Sequence, residues 1–222
     1  MAEIFLVRHG QASYGAADYD RLSELGERQS RWLGEHFAER GIAFDRFACG
    51  TLRRHVQTLD AILEGMGSRH DYAQDAGLNE YDAQALLAAR YGSPGAAPQG
   101  ADRREHFRRL REALYDWADG TLAGSAHEPF SAFHARVTGA LETLRSDHSA
   151  KRLLVVSSGG PISTLVTSAT GMPARMMVEL NLRTRNAAFT EFHSSARGLF
   201  LASFNNVPHL DRPDRAGAVT YA

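Results

Sequence analysis

The chain has 222 residues, of which 43% are hydrophobic and 23% charged, the balance of an ordinary soluble protein with one good core or two small ones. A formal net charge of −1 gives no support for general binding to nucleic acid or an anionic membrane, and no apolar run approaches the ~20 residues that span a bilayer. The single cysteine, Cys49, cannot close an internal disulfide, and the start MAEIFLVRHG carries an acidic residue where a signal peptide would be basic, so a cytoplasmic protein is expected.

Ile4–Val7 is a short continuous apolar run and predicts a buried parallel strand. It ends in Arg8-His9-Gly10, at the strand end where open α/β sheets bind ligands. Ser23 to about Arg40 predicts a helix with Leu25, Trp32, Leu33 and Phe37 near one face and a stop at Gly41. Phe44–Cys49 reads as a weaker strand, and Thr51 to about Glu64 as a helix closed by Gly65 and Gly67. Tyr91–Ala101, YGSPGAAPQGA, is a loop. Beyond it Phe107, Leu110, Leu114 and Trp117 form an amphipathic stripe, and Phe133, Val137, Leu141 and Leu144 mark a helix over about Phe130–Ser146. Trp32 and Trp117 are expected in the core. Leu153–Val156 is a second strong buried strand, and Pro161 suits the first turn of a helix that stops near Gly171. Ala187–Phe192 and Leu199–Phe204 are expected as a final pair of strands, with an irregular tail from Asp211. The alternation predicts a single α/β domain over residues 1–222: a mostly parallel central sheet, helices on both faces in a three-layer α/β/α arrangement, and a helical cap inserted at about 82–130.

Four short stretches carry chemistry. In Arg8-His9-Gly10 a neutral imidazole can attack phosphorus, an adjacent guanidinium can hold phosphate oxygens and keep the imidazole unprotonated, and glycine allows a tight turn. TLRRHVQT, Thr51–Thr58, places Arg54 near a helix start, where dipole and charge both favour an anion. In LNEYD, Glu80 is a candidate to protonate a leaving alkoxide, with Asp82 second. In VVSSGGPI, Ser158 and Gly159 stand between a strand and a helix N-terminus, an anion-binding arrangement. Taken singly, each stretch is equally a strand end, a surface arginine pair, a solvated carboxylate or a glycine-rich turn.

In this order and spacing they resemble the histidine phosphatase superfamily, also called the phosphoglycerate mutase-like family. LVRHGQ resembles its nucleophile motif, DYDRLSELGERQS (Asp18–Ser30) the segment after it, TLRRHVQT its second-arginine motif and LNE its proton donor. LLVVSSGGPI, RNAAFTEF and FNNVPHL resemble its later strands and closing segment, so the likeness runs from Ile4 to about Leu210. The resemblance implies a phosphatase in which His9 forms a phosphohistidine, Glu80 protonates the leaving oxygen and then activates water, and Arg8 and Arg54 bind phosphate with Ser158 and Gly159. It implies no cofactor and no metal, and the ten histidines show no metal-ligand spacing. The partner expected is a phosphorylated small-molecule or protein substrate.

One position departs from the pattern: the family has a histidine where this chain has Ser158. Serine still donates one hydrogen bond but carries no charge. The outcomes are a slower phosphatase, a phosphate-binding regulatory protein with little turnover, or rescue by another histidine such as His209. A phosphoglycerate-mutase-like transferase is the third functional class. The Trp-Asn pair of the mutases is replaced by Tyr14 and Gly15, which favours the phosphatase. Arg103, Arg104, Arg108, Arg109 and Arg111 make a basic helix face, expected to pair with Glu105 and Glu112 at helical spacing rather than to steer substrate.

Overall fold

The computed structural model describes residues 2–13, 20–92, 103–124, 127–146 and 149–221. In chain order the elements are β1 (Ala2–Arg8), α1 (Glu24–Glu39), β2 (Arg46–Cys49), α2 (Arg53–Gly65), β3 (Ala73–Gln74), α3 (Ala83–Tyr91), α4 (Arg103–Ala118) and α5 (Phe130–Arg145). They continue with β4 (Arg152–Ser157), α6 (Gly159–Thr170), α7 (Met176–Arg183), β5 (Phe189–Ser195) and β6 (Gly198–Asn206). Short 3₁₀ turns cover Ala76–Leu78 and Pro213–Arg215.

The six strands form one sheet in the order β3-β2-β4-β1-β5-β6. The first four are parallel, while β5 runs antiparallel to both β1 and β6. The period of two along the strands splits the core. Ile4, Leu6, Leu153 and Val155 pack with buried residues of α3, α4, α5 and α6, while Phe5, Val7, Leu154 and Val156 pack with Leu33, Phe37, Leu59 and Ile62 of α1 and α2. Continuous apolar strands covered on both faces make the predicted α/β fold.

The predicted helix stripes are inward: Leu110, Leu114 and Trp117 on α4, and Phe133, Val137, Leu141 and Leu144 on α5, are all buried. Gly41, Gly67 and Gly171 follow their helices with φ of 63°, 65° and 69°, the left-handed turn that glycine makes without a steric penalty. Trp32 differs from expectation. The buried face of α1 carries Gly26, Ser30, Leu33, Gly34 and Phe37, and at Gly34 the helix crosses α2 closely: a Cβ there would lie 2.0 Å from the Ile62 carbonyl oxygen. Trp32 is left partly exposed, with Arg28 and Arg215 over its ring at 5.9 and 4.6 Å. Three elements had no strong sequence signal: the two-residue β3, the alanine-rich α3, and the short α7.

On the proposed basic face, Arg108 pairs with Glu105 and Glu112 at 2.6 and 2.5 Å, Arg111 reaches Glu179 of α7 at 3.5 Å, and Arg109 lies over the Tyr91 ring at 4.1 Å. Arg108 thus meets its carboxylates at the helical spacing expected, while the partners of Arg109 and Arg111 come from other helices. The loop predicted at Tyr91–Ala101, the Tyr14–Gly15 pair and the Arg103 side chain lie, wholly or in large part, outside the described residues. Among the described residues no helix is long and apolar enough to cross a membrane.

Candidate active site

The parallel strands β2, β4 and β1 lie side by side and end at one edge of the sheet. Register pairs Arg8 with Ser157 and Cys49 with Val156, so His9, Ser158 and the turn into α2 emerge next to one another. The backbone N–H of His9 donates to the Ser157 carbonyl at 2.9 Å. Its ring Nδ1 is 2.7 Å from the Gly10 carbonyl oxygen. A carbonyl only accepts, so Nδ1 carries the proton and Nε2 the lone pair. Gly10 is required here: a Cβ would come within 2.3 Å of the Gly26 carbonyl oxygen of α1. The Gly10 N–H donates to Thr58 Oγ1 at 3.0 Å, and that hydroxyl donates to the Arg54 carbonyl at 2.7 Å. The histidine loop is thereby tied to both α1 and α2.

Arg54 is buried in the first turn of α2, where Nη1 meets Asp20 Oδ1 at 2.6 Å and the other oxygen of Asp20 accepts the Arg53 N–H at 2.8 Å. Arg8, also buried, donates through Nη1 to the Thr184 carbonyl. Burial holds the His9 imidazole well below its ordinary pKa, and the nearby charges of Arg54 and Arg8 push it further down, as does His55. His9 is therefore neutral near pH 7.

Glu80 follows the 3₁₀ turn. Its Oε2 accepts the Gly160 N–H at 3.2 Å, and a Cβ on Gly160 would lie 2.2 Å from Oε1, so the carboxyl fits against the first turn of α6 only because glycine is there. Burial raises its pKa above the usual carboxylate value, against the pull of the Gly160 N–H, Arg54 and Arg8. Arg136 of α5 fixes the backbone beneath, donating through Nη1 to the carbonyls of Gly77 and Asn79 at 3.0 and 2.7 Å while pairing with Glu128 at 2.8 Å. Ser157 Oγ adds a bond to the Leu78 carbonyl at 2.6 Å. Asp82, the second acid candidate, is the N-cap of α3: its Oδ1 accepts the N–H groups of Gln84 and Ala85 at 2.9 and 3.0 Å.

Ser158 is fully buried at the N-cap of α6, yet its side chain makes no capping bond. Its Oγ lies 2.6 Å from Nε2 of His55. Gly159 is held by close approach, since a Cβ would come within 2.2 Å of Asn181 Oδ1. His55 is the group the sequence reading missed. Its ring is fully buried, 5.7 Å from the His9 ring centroid and tilted by 34°. The available signal was helix phase: 55, 58, 59 and 62 share the inward face of α2.

His209 is not part of this group. It is buried beside His36 of α1, at 6.4 Å between ring centroids, and beside Arg215, which donates to its carbonyl at 2.6 Å. Neither ring nitrogen has a hydrogen-bond partner among the described residues. Burial lowers its pKa to about 3, with His36 and Arg215 adding to the effect. The unfolded chain then binds a proton near 6.5 that the folded chain refuses. The stabilisation is complete above that pH and is lost as pH falls toward 3, by on the order of 2–3 kcal/mol at pH 4.5. Urea midpoints at pH 7 and pH 4.5 should show His209→Leu losing less stability on acidification than the wild type; an equal loss in both would exclude this origin.

An open cavity of about 1060 Å³ lies elsewhere, along β5, β6 and the C-terminal segment. The sequence profile of the histidine phosphatase superfamily (branch 1) matches residues 4–207. The chain is 27% identical to the Cronobacter sakazakii protein named "Probable phosphoglycerate mutase GpmB", across 96% of this chain and 97% of that one. Its fold is similar to that of Bacillus stearothermophilus YhfR, with a TM-score of 0.73, 17% identity, and coverage of 95% and 100% of the two chains. It is also similar to the alpha-ribazole phosphatase of Shigella flexneri, with a TM-score of 0.66, 21% identity and coverage of 92% and 96%. With a profile match running from β1 to the end of β6, the chain belongs to the histidine phosphatase superfamily, branch 1.

Proposed function

We propose that the chain is a phosphomonoester hydrolase working through a phosphohistidine on His9. The observation that carries this reading is the Nδ1–H bond to the Gly10 carbonyl, which leaves the Nε2 lone pair on a neutral ring beside two arginines. Nε2 attacks phosphorus while the ester P–O bond breaks, and Glu80 gives its proton to the leaving oxygen. Water then attacks the phosphohistidine, the Glu80 carboxylate takes a proton from it, and the P–N bond breaks to return free His9 and phosphate. Arg8, Arg54 and the first turn of α6, with Ser158 and Gly159, hold the phosphoryl oxygens. Together they supply the positive charge the reaction needs without a metal ion or organic cofactor. The substrate is a phosphorylated small molecule or protein, entering beneath a cap built from the helices at about 82–130. The one buried cysteine suits the cytoplasm.

The names of the curated relatives favour a second reading, a mutase that moves the phosphoryl group between positions of a sugar acid. Both readings pass through the same intermediate, and they separate on whether water or a second hydroxyl accepts the phosphoryl group. The intermediate itself is tested by quenching turnover with denaturant and mapping the phosphoryl group. The expected result is an acid-labile adduct on the peptide that carries His9. A stable adduct on another residue, or turnover with no adduct under fast quench, overturns the assignment.

A further inference from the structure

We infer that His55 and Ser158 act as one unit, with His55 orienting the Ser158 hydroxyl so that it donates to a non-bridging oxygen of the phosphoryl group at His9. The inference rests on the phosphatase reading above and extends it to a positioning residue on α2.

The position of one proton decides how the pair is arranged. Burial and the neighbouring Arg54 keep the His55 ring neutral, so it carries one N–H. Nδ1 is buried and has no hydrogen-bond partner among the described residues, and it lies so close to the β2–α2 turn that a Cβ on Gly50 would come within 2.2 Å of it. A proton on Nδ1 would be a buried, unsatisfied donor, which costs about 1–3 kcal/mol. A proton on Nε2 meets Ser158 Oγ at 2.6 Å. The tautomer is therefore Nε2–H, and the serine oxygen is an acceptor from the ring.

That choice fixes the serine's own proton. The hydroxyl hydrogen cannot point back at Nε2–H, nor at the N–H groups of α6, which are donors themselves. The side chain makes no capping bond to those groups. The O–H must then point away from both, and in this inference it points toward His9, whose ring is the neighbour of the His55 ring at 5.7 Å. A phosphoryl group at His9 Nε2 would find this hydroxyl already aimed and already dehydrated. A lone serine at the same place would rotate among three staggered positions, and ordering it would cost entropy at each turnover. The donor at position 158 is thus built from two short parts, the ring supplied by a different helix.

A double-mutant cycle tests the coupling, using Ser158→Ala, His55→Leu, the double variant, and His55→Gln, whose amide can still donate to Ser158 Oγ. Two readouts are taken: kcat and KM on an aryl phosphate, and affinity for orthovanadate by calorimetry. Each single loss should lower kcat on the order of 10²-fold with a much smaller change in KM, and weaken vanadate in parallel. The double variant should be no worse than the poorer single variant, and His55→Gln should recover part of the loss. Multiplying losses, or wild-type vanadate affinity in Ser158→Ala, overturns the pairing. If His55→Leu does not fold, the cycle is run with His55→Ala, which likewise has no donor for Ser158. Wild-type protein that binds vanadate without turnover would sink the phosphatase reading, while the vanadate cycle would still decide the pair. No vanadate binding by the wild type would overturn both.

Discussion

His9→Ala is expected to remove phosphatase turnover by a factor on the order of 10⁴–10⁶, the range set by deleting a nucleophile while the rest of a site stays in place. Among the described residues the side chain makes one hydrogen bond, to its neighbour's carbonyl, and the loop around it is held by backbone bonds to Ser157 and by Gly10 on Thr58. The variant should therefore fold, and the loss should appear in kcat. Wild type and variant are compared on an aryl phosphate from about pH 5 to 8, spanning the ordinary imidazole value near 6.5. Because burial, Arg54 and Arg8 depress the His9 pKa, the ring is already neutral at pH 6.5, and the acid limb of kcat/KM should fall well below that pH. Activity that survives in the variant would sink the His9 mechanism. No turnover in either protein, with vanadate binding retained, would make the chain a phosphate-binding protein without efficient turnover.

The layers of this fold were legible because the strands are continuous apolar runs covered on both faces. Each of Ile4–Val7 and Leu153–Val156 carries its own signal, and the period of two then divides their side chains between two cores. The site was legible only as far as each residue type stood at a strand end or helix start. What placed His9 beside Ser158 is the pairing of β1 with β4, a long-range register that no local pattern encodes. His55 sits next to Arg54 in sequence, yet its meaning depends on helix phase and on a serine at the N-cap of another helix. Asp82 shows the reverse case. An acidic residue two places from a candidate acid reads as chemistry, but its spacing to Gln84 and Ala85 makes it a helix cap. The arginines of α4 were half legible: Glu105 and Glu112 stand at helical spacing from Arg108, whereas Tyr91 and Glu179 come from other helices.

Glu80→Gln should discriminate sharply between substrates. An alkyl phosphate expels a strongly basic oxygen that needs a proton as it leaves, and losing the acid should cost on the order of 10²–10⁴ in rate. A nitrophenyl phosphate expels an oxygen that is stable as an anion, so its first step should slow far less. The amide keeps an oxygen that can accept the Gly160 N–H, so the α6 turn should hold its geometry. Glutamine also cannot take a proton from water, so the phosphohistidine should persist. The expected trace on nitrophenyl phosphate is a burst of one equivalent followed by slow turnover. The pH dependence has a definite sign. Burial raises the Glu80 pKa, so the carboxyl stays protonated above its ordinary range and loses its proton as pH climbs through the raised value. Wild-type activity on an alkyl phosphate should fall along that alkaline limb, and the limb should vanish in Glu80→Gln, which has nothing to titrate there. Equal losses on both substrates, without a burst, would mean that Glu80 shapes the first turn of α6 and that the proton comes from another group.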